Sequence, residues 1–502
     1  MMNSKFAKAF LIAMLPLSGT WLLAQNEQTA ASKETTSVPP GTSYYVEAAS
    51  YGTKRETDPP SYTRTLAKTG IRGVETIDWL DVGLDYRTRF EYRKNDLRRP
   101  VLTTDYPFLL RTRAYIGVKH KLDPVRFAIE FEDAHRVNGK FPKDDRDFNR
   151  VEIIQGYVEL HFKKALGNDK LGNARPVFVR FGRQAFEFLD RRLLASNQWR
   201  NTTNNFFGFR SAIGQEKNDW QIDLLAVRPI KRLIDDFDKT DNDRDVWAVI
   251  GHWRRWSQFI TIEPYYLGLN QRATVNTGNR DRLIHSPGLR VYGWLLDKHI
   301  NYDFTYTQQF GKDSQLEHKA FSVTGEVGYV LREMSWKPRF SLFFGYVTGD
   351  KDPNDKVNNR FERFYGFARP WSSDDYIIME NIITPKLKVE FEPVKGVKID
   401  GGYSYYWLAS STDRFNNLLS GVQNRDSEGN SGRFLGHGLD SRVRFKPTKF
   451  MDANIGYIHF TNGEFVINRQ KEVLGQHTKS SDFIYVELCL NAFDIFKQGA
   501  KK

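Results

Sequence analysis

The sequence predicts an all-β fold: a transmembrane, antiparallel up-and-down β-barrel of about eighteen strands, with short periplasmic turns and long extracellular loops. Three observations carry this expectation. Segments of about 9–11 residues alternate apolar and polar side chains. The connections between them alternate between short and long, and an export signal precedes them all.

The N-terminus MMNSKFAKAFLIAMLPLSGTWLLAQ places Lys5 and Lys8 before an apolar stretch from Ala9 to Leu23, and Ala24 suits the last residue before cleavage. Residues 1–24 therefore read as a secretory signal peptide, because Pro16, Ser18 and Gly19 break the run short of the ~20 apolar residues a helical span needs. Residues 25–76, with SKETTSVPPGTS and KRETDPPSYTR, are expected to form a polar, mostly unstructured periplasmic segment. The barrel is assigned to residues 77–496 and a basic tail to 497–502.

The first strand contains LDYRTRFEYRK, Leu84 to Lys94. Its two-residue period puts Leu84, Tyr86, Phe90 and Tyr92 on one face and Asp85, Arg87, Arg89, Glu91 and Arg93 on the other. A soluble sheet would produce this pattern as readily as a barrel with lipid on one side and water on the other. The same alternation returns in LLRTRAYIGVK, VRFAIEFEDA, VFVRFGRQ, WQIDLLAVR, INYDFTYTQQF, PKLKVEFE, VKIDGGYSYYWL, LDSRVRF and FIYVELCLNAF. Weaker strands are expected around Ile154, Phe209, Val249, Ile262, Val291, Val327, Phe343 and Ile455.

The connections decide for the membrane. Even-numbered strands end in KLDP, QEKND, RRWS, LLDKH, REMSWK, EPVKG and KPTK, with a longer exception at Lys163 to Arg175. Connections after odd-numbered strands are mostly long and polar, such as Thr348 to Asn381 and Ala409 to Leu435. A sandwich or propeller has no reason for such alternation, whereas outer-membrane barrels do. Tyr405, Tyr406, Trp407, Trp253 and Trp256 stand at strand ends, where aromatic girdles belong. The expected location is the outer membrane, in contact with its lipid and lipopolysaccharide.

Composition agrees. Hydrophobic residues are 40% of the chain, aromatics 14%, and the single cysteine, Cys489, excludes an internal disulfide. The formal charge of +13 raises nucleic acid as a partner. That class is disfavoured because the bases alternate with acids on strands behind an export signal.

By parity the lumen-facing set includes Asp85, Arg87, Arg89, Glu91, Arg111, Arg113, Arg126, Glu130, Arg180, Arg210, Arg290, Arg339, Lys386, Lys388, Arg442 and Arg444. Guanidinium stays charged and clamps carboxylates, so this surplus favours anions in a water-filled tube. The plainer reading is that arginines and acids ladder across strands to stiffen the wall. We expect both, with about half of the arginines paired structurally and a minority at a selective constriction.

The stretch FVRFGRQAFEFLDRRLLASNQWRNTTNNFFGFRSAI, Phe178 to Ile213, resembles the signature region of the outer-membrane alginate export family, and YRTRFEYR and LLRTRAYIGV are similar to its opening strands. The resemblance extends from Trp79 to the end. It implies an eighteen-stranded barrel whose electropositive pore conducts anionic polysaccharide, and with it a periplasmic export partner. It also makes Arg183, Gln184, Asp190, Arg191 and Arg210 candidates for the pore wall or an in-folded loop. Arg183 has outward parity, so a bulge or the strand's end must intervene. Such barrels usually end on an aromatic residue, whereas this chain continues past Phe496 into KQGAKK.

Other chemistry is weakly marked. DDFDKTDNDRD and GDKDPND alternate acids without EF-hand spacing, and neither HExxH nor GxSxG occurs. No metal, cofactor or enzymatic activity is expected. The function expected is passive conduction of anionic solutes, with export of an alginate-like polymer in first place. A general anion or sugar uptake porin stands second, and an outer-membrane enzyme or adhesion scaffold third.

Overall fold

A computed structural model describes residues 42–49, 55–419 and 424–496. The expected signal peptide and basic tail lie outside the described residues.

Eighteen long strands follow one another around the barrel: β1 Leu80–Lys94, β2 Phe108–Val118, β3 Val125–Val137, β4 Asn149–Phe162, β5 Val177–Gln184, β6 Phe206–Ile213, β7 Trp220–Lys231, β8 Arg244–Trp253 and β9 Thr261–Gln271. Then come β10 Arg282–Leu295, β11 Ile300–Asp313, β12 Leu316–Val330, β13 Arg339–Val347, β14 Ile382–Val394, β15 Val397–Trp407, β16 Phe434–Thr448, β17 Met451–Asn462 and β18 Ser480–Asn491. Each pairs antiparallel with its neighbour, and β1 closes the barrel on β18 from Asp85↔Asn491 to Lys94↔Asp482. Closure leaves no strand edge, so every barrel backbone can be satisfied within lipid.

The strands form because aromatic and β-branched residues suit a pleated, half-buried surface. Their period fixes the two faces. Along β1, Leu84, Tyr86 and Phe90 are exposed, while Asp85, Arg87, Arg89 and Glu91 are buried. Phe304, Tyr306, Phe340, Leu342, Leu387 and Leu439 continue the exposed apolar band. Trp253 and Trp256, 5.8 Å apart, sit at its periplasmic border. Tyr403, Tyr405, Trp407 and Phe434 cluster at the outer one. Tyr406, by contrast, points inward and stacks on Phe460.

Short and long connections alternate as expected. On the periplasmic side β14–β15 and β16–β17 are joined only by Lys395–Gly396 and Lys449–Phe450, and the 163–176 connection is a small hairpin closed by an Asn168↔Ala174 bridge. The outer loops include 185–205, 348–381, 408–433 and 463–479, the last containing α1, Glu464–Leu474. One outer connection is short: Ser314–Gln315 between β11 and β12.

Two expectations about the chain ends need correction. Among its described residues, 42–49 and 55–76, the N-terminal segment has packed structure. Thr63–Thr65 pairs with β1 at Asp81–Gly83, and the Tyr62 hydroxyl donates to buried Glu130 at 2.6 Å. Arg55 pairs with Glu216, Asp58 with Arg180 and Arg210, and Arg64 with Asp494. At the other end the last strand stops at Asn491 and a short helix α2, Ala492–Ile495, follows, with Asp494 bonded to Arg64.

Candidate functional site in the barrel lumen

The lumen is filled from outside by loops too apolar for water. Loop 185–205 contributes buried Phe186, Phe188, Leu193 and Leu194, and loop 348–381 contributes Phe361, Trp371, Tyr376 and Ile377. Loop 408–433 adds Leu418 and Leu419. Full burial stabilises each such side chain by roughly 1.5–3 kcal/mol, which is why loops of this composition fold inward. The first two loops bond to each other: the Tyr365 N–H donates to the Leu193 carbonyl at 3.0 Å and the Ala195 N–H to the Tyr365 carbonyl at 3.2 Å. Gly366 permits the crossing, since a Cβ there would lie 1.7 Å from the Arg192 carbonyl oxygen.

The arginines of β1 and β2 grip this plug. Arg87 donates to the carbonyls of Gln198 and Arg200, at 2.8 and 2.7 Å, and to Asn201 Oδ1 at 3.1 Å. Arg89 donates to the Trp199 carbonyl at 2.6 Å, and Arg113 to Gln198 Oε1 at 2.6 Å. Arg111 reaches the Gln198 and Arg200 carbonyls at 3.3 and 3.4 Å. Two guanidinium groups lie over the Trp199 side chain, Arg89 at 3.8 Å and Arg369 at 3.6 Å, a placement favoured by the ring quadrupole.

The expectation that about half of the wall arginines pair is too low. Arg87, Arg89, Arg111, Arg113, Arg126, Arg180, Arg183, Arg210, Arg339, Lys388, Arg442 and Arg444 each have a carboxylate oxygen within 4.0 Å. The reason is the low dielectric of a filled lumen, where an uncompensated charge is costly. Asp85 serves Arg111 and Arg113, Glu91 bridges Arg89 and Arg93, and Glu130 takes Tyr62 and Gln155. Arg290 sits between Glu263 and Asp303. Lys386 donates to the Trp371 carbonyl at 3.2 Å, and Arg442 and Arg444 share Asp400.

The signature-region residues separate. Gln184 bonds the Gly208 carbonyl, Asp190 holds Arg192 at 2.6 Å, and Arg191 lies over Phe367 near Glu187. Arg183 is a correction to the pore-wall reading. It keeps its outward parity at the outer end of β5 and bonds Glu152 and the Ile153 and Asp238 carbonyls at the rim. A β-bulge in β4 brings Glu152 within its reach.

Around the plug lie three spaces. A periplasmic vestibule of about 1010 Å³ reaches up to Glu187 and Ser196, and an outer one of about 630 Å³ is floored by Arg363, Phe364 and Tyr365. Between the plug and the β1–β3 wall is a space of about 40 Å³ lined by seven arginines, among them Arg89, Arg146 and Arg200, and by five acids, among them Asp144 and Asp375, beside Trp199. Among the described residues, no carboxylate lies within 4.0 Å of Arg200 or Arg363. Burial pushes the Arg200 guanidinium down to about 9, and the positive charges of Arg146 and Arg232 add to the shift. Parity reasoning misses these residues because they belong to loops. The aromatic density of RFERFYGFARPWSSDDYIIME was the available signal that this loop is not solvated.

Solved structures of similar fold include Acinetobacter baumannii OccAB1, at 12% identity and TM-score 0.52 over 82% of this chain and 96% of that one. Pseudomonas aeruginosa OccK2 (OpdF) matches at 11% identity and TM-score 0.54, over 82% of this chain and 98% of its own. No curated protein matches the chain in sequence. The alginate export family matches residues 78–479. That span runs from the start of the barrel almost to its last strand, so this outer-membrane β-barrel channel belongs to the alginate export family.

Proposed function

We propose that the channel passively conducts acidic polysaccharide, alginate-like in carrying a carboxylate on successive sugars, outward across the outer membrane. The observation that carries this reading is the pair Arg200 and Arg363 on the plug, neither with a carboxylate within 4.0 Å among the described residues, where the positive charges of Arg146 and Arg232 act on Arg200 against the opposing charge of Asp375. A group of like charges in a water-poor site is relieved by an anion, and guanidinium clamps carboxylate in a bidentate fork. The wall arginines at the vestibule, Arg126, Arg180 and Arg210, extend the same chemistry toward the periplasm. Many weak contacts of this kind let a chain keep moving where one tight site would hold it.

Planar-bilayer measurements under a salt gradient test it. The expected result is anion selectivity and current block by uronate oligomers, both weakened in Arg200→Gln and Arg363→Gln; cation preference in the wild type overturns the proposal. A second reading, a porin for small anions or sugars, is favoured by the 40 Å³ central space, which has room for little more than one water. Under that reading small carboxylates permeate without block, and polymer has no effect on the current.

A further inference from the structure

The N-terminal segment carries acids into the periplasmic vestibule. Asp58 Oδ2 accepts from Arg180 Nη1 and Arg210 Nη1, each at 2.9 Å. Beside it the Glu56 N–H donates to Glu187 of the in-folded loop at 2.8 Å, and Arg55 pairs with Glu216 at 2.8 Å. The stretch is anchored at one end only a few residues later, where Thr63–Thr65 joins β1 and Arg64 bonds Asp494. Asp58 itself remains about one-third exposed to the vestibule, unlike the two arginines it joins.

The charge balance of the vestibule points the same way. The barrel wall and in-folded loop line it with seven bases against five acids, and the segment adds Glu47, Glu56 and Asp58 against Arg55. The excess positive charge of the lining is thus cancelled by the chain's own N-terminal acids. Arg180 is also held by Glu159 at 2.7 Å and stacked on Tyr157 at 3.8 Å, and Arg210 has Asp223 at 3.8 Å. Both guanidinium groups therefore stay in place when Asp58 leaves, a prearranged fork for another carboxylate.

We propose that Arg180 and Arg210 form a carboxylate-binding subsite at the periplasmic vestibule, and that Asp58 occupies it as a tethered stand-in which the carboxylate of an anionic sugar displaces. The proposal rests on the anionic-cargo reading above. A carboxylate on a short tether competes at an effective concentration on the order of millimolar. Dilute small anions lose to it, whereas a polymer presenting carboxylates at comparable local density replaces it. Displacement then leaves residues 55–61 held at Arg55–Glu216 and Glu56–Glu187, so the cargo loosens the segment that stands in its path.

The test compares the wild type with Asp58→Asn and Asp58→Glu in planar bilayers, with galacturonate trimer or neutral maltotriose added on the periplasmic side. Asp58→Asn is expected to raise anion conductance at low salt and lower the galacturonate concentration for half-block by about fivefold, the gain from removing an internal competitor. Maltotriose block stays unchanged, Asp58→Glu behaves as the wild type, and adding Arg210→Gln to Asp58→Asn abolishes the gain. Equal galacturonate block in wild type and Asp58→Asn overturns the subsite while leaving anionic cargo intact. Equal shifts for both sugars overturn it too, because the segment is then a steric plug. Cation selectivity with no galacturonate block in either protein instead overturns the cargo reading on which the subsite rests.

Discussion

Arg369, from one in-folded loop, lays its guanidinium 3.6 Å over the indole of Trp199, from another, and Arg89 of the barrel wall lies 3.8 Å over the same side chain. The ring also meets Tyr485 of β18 edge-on at 4.8 Å. Trp199 thus ties two loops to the β1–β18 seam. Trp199→Ala is expected to destabilise the plug by about 3–5 kcal/mol and to raise single-channel conductance. Unchanged conductance and melting temperature would show that the loops are held elsewhere.

Arg87 makes its bonds to the backbone of residues 198–200 from 2% exposure. Removing it leaves the Gln198 and Arg200 carbonyls only the longer bonds from Arg111, at 3.3 and 3.4 Å, a cost of about 1–3 kcal/mol. Arg87→Met should therefore loosen residues 196–201 while the barrel stays closed. Trypsin cleavage after Arg200, read on folded protein in detergent, is expected to accelerate at least tenfold, roughly 1.4 kcal/mol of easier opening. Wild-type resistance in the variant would contradict the clamp.

Gly366 is tested by bulk. A Cβ would meet the Arg192 carbonyl oxygen at 1.7 Å and the Leu193 nitrogen at 3.1 Å, both of them backbone. Gly366→Val is therefore expected to separate the two loops at a cost above the ~1–3 kcal/mol of ordinary overpacking. A fall in melting temperature together with a noisier, larger current is the outcome; an unaltered current would place the loop crossing elsewhere.

Asp238, in the outer loop between β7 and β8, gives a pH dependence. Burial pushes its carboxyl up to about 6, with Glu152 adding, against the opposing bonds from the Leu233 N–H and Asn149. An acid with a raised folded value contributes stability below its unfolded value and loses it as pH rises through the folded one. The loop should therefore be firmest near pH 4 and loosen toward pH 7. Amide-exchange protection at Leu233, corrected for intrinsic rates, is expected to be higher at pH 5 than at pH 7.5; the reverse order would show a carboxylate already satisfied at neutrality.

The barrel was readable in the sequence because lipid imposes a strict two-residue period, so Leu84 and Phe90 declare one face and Arg87 and Arg89 the other. Parity says which way Arg87 points and nothing about what covers it. Its partners are carbonyls more than a hundred residues away, in a loop whose polar stretch QWRNTTNN does not say which wall it meets. Asp58 carries no local mark at all; it lies in a Pro-rich polar run, and only the positions of Arg180 and Arg210 give it meaning. Arg183 points outward as its parity says, and what the sequence does not show is the bulge in β4 that brings Glu152 to it.

The bidentate contact between Arg64 and Asp494 has a consequence for assembly. It joins a residue made before the first strand to one made after the last. Until β18 zips onto β1, Asp494 has no fixed place, and Arg64 lacks its counterpart. The Arg64–Asp494 latch therefore forms only once the seam is shut, whereas Thr63–Thr65 can pair with β1 and Tyr62 with Glu130 earlier. Closure of the wall and fastening of the chain's two ends to each other become a single late event.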